Sequence, residues 1–267
     1  MSTEADLVLS QDGYVATITL NRPEQHNLWT PAMSVLLETL VRRCGSDDSV
    51  RVVVITGAGR TFCGGADMAA LKAAQESGRS PLPPKPRSDD DFEQRYSYLL
   101  GIPKTIICAL NGAAVGIGAV LPMFCDIRYA ASNAKIAALF VRRGLVAEHG
   151  IAWMLPRLIG LPRALEMLMS GRVVGAEEAE RIGLVHAVLP EAGFREEVTR
   201  RAAEWAASVS PRAAGIIKRQ VYAGLKQTLA QAAQMADDEL PGVIASEDFR
   251  EGVQHFLHKR PPQFTGR

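Results

Sequence analysis

Cysteine is scarce in this chain, with four in 267 residues. Cys44, Cys63, Cys108 and Cys125 lack the paired spacing of a zinc site. Most lie in or beside apolar strands, where a small buried thiol is the expected role. An excess of one charge is also missing. The formal net charge is +1, which argues against a nucleic-acid binder working through a broad basic face and leaves only a local patch open. No stretch approaches the roughly twenty apolar residues of a membrane span. Met1 to Leu7 shows neither the basic n-region nor the apolar h-region of a signal peptide. These absences together predict a reducing, cytoplasmic setting, with neither nucleic acid nor membrane as partner. What is present is ordinary for a soluble globular protein: 47% apolar and 22% charged residues, in a chain long enough to bury a substantial core as one large domain or two small ones.

The periodicity predicts an α/β architecture. Leu7 to Ser10 and Tyr14 to Leu20 read as two short strands joined at Asp12-Gly13. Thr30-Pro31 offers an N-cap followed by proline at the first helical position, and Leu36, Leu37, Leu40, Val41 and Cys44 continue at helical spacing up to Gly45. Strands are expected at 51–56, 105–110 and 125–130, with helices near 67–76 and 118–124 between them. Gly78 to Asp91, with its prolines and Asp89-Asp90-Asp91, reads as a mobile surface loop; closure over a ligand is an open alternative. From Pro162 onward the chain reads as mostly helical, over 176–181, 192–209, 211–229 and 230–240, with caps at Ser210-Pro211 and Pro241-Gly242.

Two segments carry chemistry. Phe62-Cys63-Gly64-Gly65-Ala66-Asp67 joins a β-branched run, Arg51 to Thr56, to a stretch of helix formers that Asp67 can cap. Such a strand, glycine loop and helix start turn unpaired N–H groups and a favourable dipole toward an anion. Alone it reads first as a tight turn with structural glycines. It recurs, however: Ile106 to Leu110 leads into Asn111-Gly112 through Gly118 and a second helix start, which Pro122 is expected to mark by sitting in the first turn. Two such loops can converge two backbone donors on one oxygen, as an oxyanion hole does for a thioester carbonyl becoming an enolate.

At this point the residues resemble the crotonase (enoyl-CoA hydratase/isomerase) superfamily. Leu20-Asn21-Arg22-Pro23-Glu24 is similar to its N-terminal signature, and Phe62 to Asp67 to its first oxyanion loop. Asn111 to Gly118 with Cys125-Asp126-Ile127 is similar to its second. Gly171 to Ala176, Gly183-Leu184-Val185 and Phe256 to Arg260 resemble later segments, so the likeness covers nearly the whole chain. It implies an α/β fold: a spiral of β-β-α turns over 1–200 and a C-terminal helical region over 201–267 that packs homotrimers, often as dimers of trimers. The implied substrate is an acyl-CoA thioester. Coenzyme A is then part of the substrate, with no separate cofactor and no metal.

The resemblance puts the oxyanion donors on the backbone N–H groups of Ala66 and Ile117. Ile117 departs from the glycine often found there. Family hydratases place two glutamates over the double bond, and the matching positions here are Val120 and Phe140. Neither can move a proton. Glu148, four residues past Gly144, resembles instead the single catalytic carboxylate of peroxisomal-type Δ3,Δ2-enoyl-CoA isomerases. Its apolar neighbours would raise its pKa by desolvation. The plain alternative is a solvated loop acid or a helix cap. His149 can be a titrating partner, a water-orienting group or a bystander. For coenzyme A, the resemblance implies contacts around Gln25, His26, Ala66, Asp67, Met68 and Gly116, with Phe256 and Lys259 meeting the adenine and a phosphate from a neighbouring subunit; an ordinary amphipathic C-terminal helix is the alternative.

Isomerisation of enoyl-CoA is therefore the leading expectation, with a single-base hydratase next. A non-catalytic acyl-CoA binder and an RNA-binding relative are the readings from another class. A protease-like relative is disfavoured, because Gly64-Gly65-Ala66 carries no serine nucleophile.

Overall fold

The chain opens with a hairpin. Strands β1 (Leu7–Asp12) and β2 (Val15–Leu20) pair antiparallel from Asp12↔Val15, and Gly13 takes the left-handed conformation the tight turn requires (φ 53°). Helix α1 (Pro31–Ser46) begins where expected: Thr30 Oγ1 accepts the Met33 N–H at 3.2 Å. Met33, Leu37, Val41 and Cys44 recur on its buried face. This is a computed structural model that describes residues 5–80, 82 and 88–267.

Three turns of a spiral follow. The first is β3 (Val52–Gly57), β4 (Thr61–Cys63) and α2 (Met68–Ser77). After the short helix α3 (Tyr98–Gly101), the second is β5 (Thr105–Leu110), β6 (Ala113–Val115) and α4 (Ile117–Met123). The third is β7 (Ile127–Ala131), β8 (Lys135–Ala137) and the helices α5 (Ile151–Ile159) and α6 (Leu161–Ser170). Strand β9 (Val173–Gly175), helix α7 (Ala176–Arg181) and strand β10 (Ala187–Leu189) complete the sheets, followed by α8 (Phe194–Ser208), α9 (Pro211–Gly224), α10 (Leu229–Ile244) and α11 (Glu247–His258). In each turn the first strand joins a six-stranded sheet, ordered β1-β2-β3-β5-β7-β10, and the second joins a four-stranded sheet, ordered β4-β6-β8-β9.

The large sheet is buried on both faces, which is why β3 and β5 are near-continuous apolar runs. Val53, Ile55, Ile106, Cys108 and Leu110 enter the main core. The alternate residues Val52, Val54, Ile107 and Ala109 meet Phe194, Val198, Ala202 and Ala206 of α8. The division expected at residue 200 therefore falls inside a helix that packs on the sheet. Asp126 fastens the rear of the molecule. Its Oδ2 accepts the Ile106 N–H at 2.7 Å and the Lys218 Nζ at 2.8 Å, and its Oδ1 accepts the Tyr222 hydroxyl at 3.1 Å.

Several local expectations need correction. Pro122 lies in the last turn of α4, not the first; its missing N–H falls near a helix end that stops one residue later. Helix α10 continues through Pro241 and Gly242 to Ile244 rather than ending at Leu240. Strand β7 spans Ile127–Ala131 rather than 125–130. The mostly helical rear half still contributes β9 and β10. The free cysteines are buried, as their apolar surroundings predict.

Candidate active site

Strands β4, β6 and β8 are parallel neighbours, in register at Cys63↔Ala114, Ala114↔Ile136 and Val115↔Ala137. Their carboxyl ends therefore lie side by side, and the connection leaving each one carries part of the site. The first connection holds Ala66, the second Gly116 and Ile117, and the third Phe140, Glu148 and His149. All of them line one cavity of about 560 Å³. A larger cavity of about 840 Å³, between α9 and the C-terminal tail, contains none of them.

The geometry of the first loop is set by Trp29. Its N–H donates to the Gly65 carbonyl at 2.7 Å and its carbonyl accepts the Asp67 N–H at 2.9 Å. In a parallel bridge of this kind the intervening residue, Ala66, directs its own N–H to the opposite side, toward the cavity. At the second loop, Gly116 adopts φ 54°, ψ −115°, a region a side chain rarely enters. Ile117 then starts α4, where an amide has no intrahelical partner. Among the described residues, neither the Ala66 nor the Ile117 N–H has a protein acceptor. Gly118 lets the loops approach each other: a Cβ there would lie 2.5 Å from the Cys63 carbonyl oxygen.

Two buried asparagines hold the turn from β3 to β4 that aims the first loop. Asn27 Nδ2 donates to the Ala58 and Thr61 carbonyls at 2.9 and 2.6 Å, and Asn27 Oδ1 accepts the Arg22 N–H at 2.8 Å. Asn111 Oδ1 accepts the Gly57 N–H and Asn111 Nδ2 donates to the Gly59 carbonyl, both at 3.0 Å. The sequence motifs contain Asn111, but nothing local reveals this bracing role, since both asparagines act on residues far along the chain.

The Glu148 side chain is 37% exposed, and burial alone raises its pKa above the usual 4.5. His149 Nε2 lies 4.0 Å from Glu148 Oε2, with the imidazole only 14% exposed. Burial and then Arg95 lower the His149 pKa to about 4, so at neutral pH the imidazole beside Glu148 is neutral. Tyr96 packs edge-on against the His149 ring, with centroids 5.4 Å apart. The Tyr96 hydroxyl shares a hydrogen bond with Ser34 Oγ at 3.0 Å, and Ser34 Oγ accepts Trp29 Nε1–H at 2.7 Å. Ser34 and Tyr96 escaped the sequence reading because neither belongs to a motif. Val120 is buried in the core on α4 and does not reach the cavity, whereas Phe140 does.

The expected coenzyme A residues are brought together only in part. Gln25 and His26 lie beside the first loop: the His26 carbonyl accepts the Gly64 N–H at 2.9 Å, and Arg22 bonds to Gln25 Oε1 and lies 3.7 Å from Asp67 Oδ2. Asp67 caps α2 by accepting the Ala69 N–H at 2.9 Å. Met68 is 61% exposed at the start of α2. Phe256, 78% exposed, and Lys259 stand at the end of α11, away from this cavity within the chain. Of the Gly78–Asp91 segment, Gly78, Arg79, Ser80 and Leu82 line the cavity; residues 81 and 83–87 lie outside the described residues.

Among the described residues, the amides of Ala66 and Ile117 and the carboxylate of Glu148 thus meet around one cavity, an arrangement chemically able to hold a carbonyl oxygen beside a proton acceptor. The family model for enoyl-CoA hydratase/isomerase matches residues 10–267, and the chain belongs to this family of crotonase-type enzymes. It is 38% identical over 255 residues to a Rhodobacter capsulatus protein named a probable enoyl-CoA hydratase, covering 95% of both chains. It is 34% identical over 257 residues to the Escherichia coli 1,2-epoxyphenylacetyl-CoA isomerase, again covering 95% of both. The crystal structure of an enoyl-CoA hydratase from Bacillus anthracis superposes with a TM-score of 0.84 at 30% identity, covering 98% of this chain and all of that one.

Proposed function

We propose that this protein shifts the double bond of an enoyl-CoA thioester, using Glu148 as its one base. The observation that carries the reading is the composition of the cavity wall: among the described residues Glu148 is the carboxylate that lines it, together with the free amides of Ala66 and Ile117, while of the two positions that the resemblance matches to a hydratase's glutamates, Phe140 lines the cavity and Val120 is buried in the core. The thioester oxygen accepts both amide hydrogens. Glu148 removes the proton from C2 of a 3-enoyl group, and the electron pair passes to the thioester oxygen as a dienolate. The same carboxyl returns the proton to C4, leaving the double bond between C2 and C3. Proton and electrons balance with no second acid and no water. A trimer is part of the proposal: Phe256 and Lys259 do not line the cavity of their own chain, and the resemblance brings them to coenzyme A from a neighbouring subunit. Exposed apolar residues on the rear helices, such as Ile217, Val221 and Leu229, support such packing.

A second reading, hydration with Glu148 activating water, is favoured by the partial exposure of that carboxylate. The test follows deuterium exchange at C2 and C4 beside the formation of 3-hydroxyacyl-CoA. Exchange at C4 outpacing hydroxyacyl formation supports isomerisation. Fast hydroxyacyl formation without exchange at C4 leaves the hydratase standing instead.

A further inference from the structure

A second chamber lies behind the reaction cavity. It has a volume of about 420 Å³, with Phe92, Phe124 and Trp153 among its walls and Arg95 and the Lys226–Asp91 ion pair at its polar side. His149 is the residue whose side chain faces both spaces. We propose that the His149 imidazole is the end wall of the acyl site and sets the acceptable acyl length by closing the reaction cavity off from this rear chamber. The inference rests on the reading that the cavity holds the acyl group of a CoA thioester.

Three features make His149 a fixed partition. Its backbone is left-handed, with φ 59°, and Gly150 follows at φ 78°, so the direction of the Cα–Cβ bond is set by an unusual local fold. Tyr96 packs edge-on against the ring, and Tyr96 is itself tied to Ser34 and through it to Trp29, the residue that aims the first oxyanion loop. The wall is thus tied to the Trp29 side chain and the first loop to the Trp29 backbone, so both are referenced to the same buried residue. Finally, the imidazole stays neutral at working pH, so the apolar end of an acyl chain can rest on it without desolvating a charge.

The test is binding rather than turnover. Saturated acyl-CoA thioesters from four to fourteen carbons would be titrated calorimetrically against the full-length protein. In the wild type, affinity should rise about fourfold per methylene, the equivalent of roughly 0.8 kcal/mol, and stop rising where the chain end meets His149. His149→Gly, which suits the left-handed backbone, should carry the rise on by further methylenes into the rear chamber. His149→Phe keeps a wall and should retain the wild-type ceiling. If the glycine variant does not fold, His149→Asn, shorter and tolerant of the same backbone, should give a smaller extension. Phe92→Trp in the His149→Gly background should refill the chamber and bring the ceiling back. A folded glycine or asparagine variant that binds short thioesters normally with an unchanged ceiling overturns this inference alone. A wild-type protein that binds no acyl-CoA of any length overturns the function proposed above, and the inference with it.

Discussion

Glu148→Gln isolates the proton transfer from everything else the site does. The substitution keeps the shape of a half-buried side chain and leaves both oxyanion amides untouched, since they belong to Ala66 and Ile117. Among the described residues the carboxylate has one close ionisable neighbour, His149 at 4.0 Å, and that ring is neutral above pH of about 4. Removing the charge therefore strands no cation. Affinity for a CoA thioester should stay within a few-fold. Turnover loses a positioned general base, typically worth about 10²–10⁴-fold, or roughly 3–5 kcal/mol of transition-state stabilisation. The assay is the initial rate of 3-enoyl-CoA conversion across a pH series, paired with calorimetric affinity. Burial raises the Glu148 pKa above 4.5, and the base must be ionised to act. The wild-type rate should accordingly fall as pH drops, with a midpoint above 4.5, and the glutamine variant should lack that limb. Wild-type turnover in the variant, or the same acid limb in its residual activity, would refute the assignment.

Ala66→Pro deletes a donor that no side chain can replace and should lower turnover by about 10²–10³-fold, whereas Ala66→Ser keeps the amide and should remain active; a folded proline variant with near-normal rates sinks the oxyanion assignment. Asn111→Ala leaves the Gly57 N–H and the Gly59 carbonyl without their partner, at roughly 1–3 kcal/mol for each group left unpaired; an unfolding free energy from urea titration within about 0.5 kcal/mol of wild type, on the order of measurement error, would count against the bracing role. His149 takes up a proton near pH 6.5 when unfolded but only near pH 4 when folded, so stability is full above about 6.5 and falls as pH is lowered toward 4, by at most roughly 3 kcal/mol. His149→Phe should remove that part of the slope, and an unchanged slope between pH 6.5 and 4 shows that the histidine is not buried as described.

The long elements could be read directly because their signals are local. The hairpin closed by Gly13, the Thr30–Pro31 helix start, the apolar strands β3 and β5 and the Asp67 cap each follow from neighbouring residues, and so did the two glycine loops and the family they resemble. The three-residue strands β4, β6 and β8 are too short to show a period, and only their pairing with one another, far apart in sequence, brings the ends of three turns to one cavity. Proline positions misled as well: Pro122 and Pro241 both sit inside a helix near its C-terminal end, where a single missing donor does not stop it. The sequence by itself determined the two glycine loops and, through the family they resemble, pointed to Ala66, Ile117 and Glu148, because loop chemistry and residue identity are local. Tertiary structure alone decided that Trp29 aims one amide, that Asn27 and Asn111 brace the turn before it, and that His149 stands between two chambers, because each of these depends on contacts across tens of residues that no local pattern encodes.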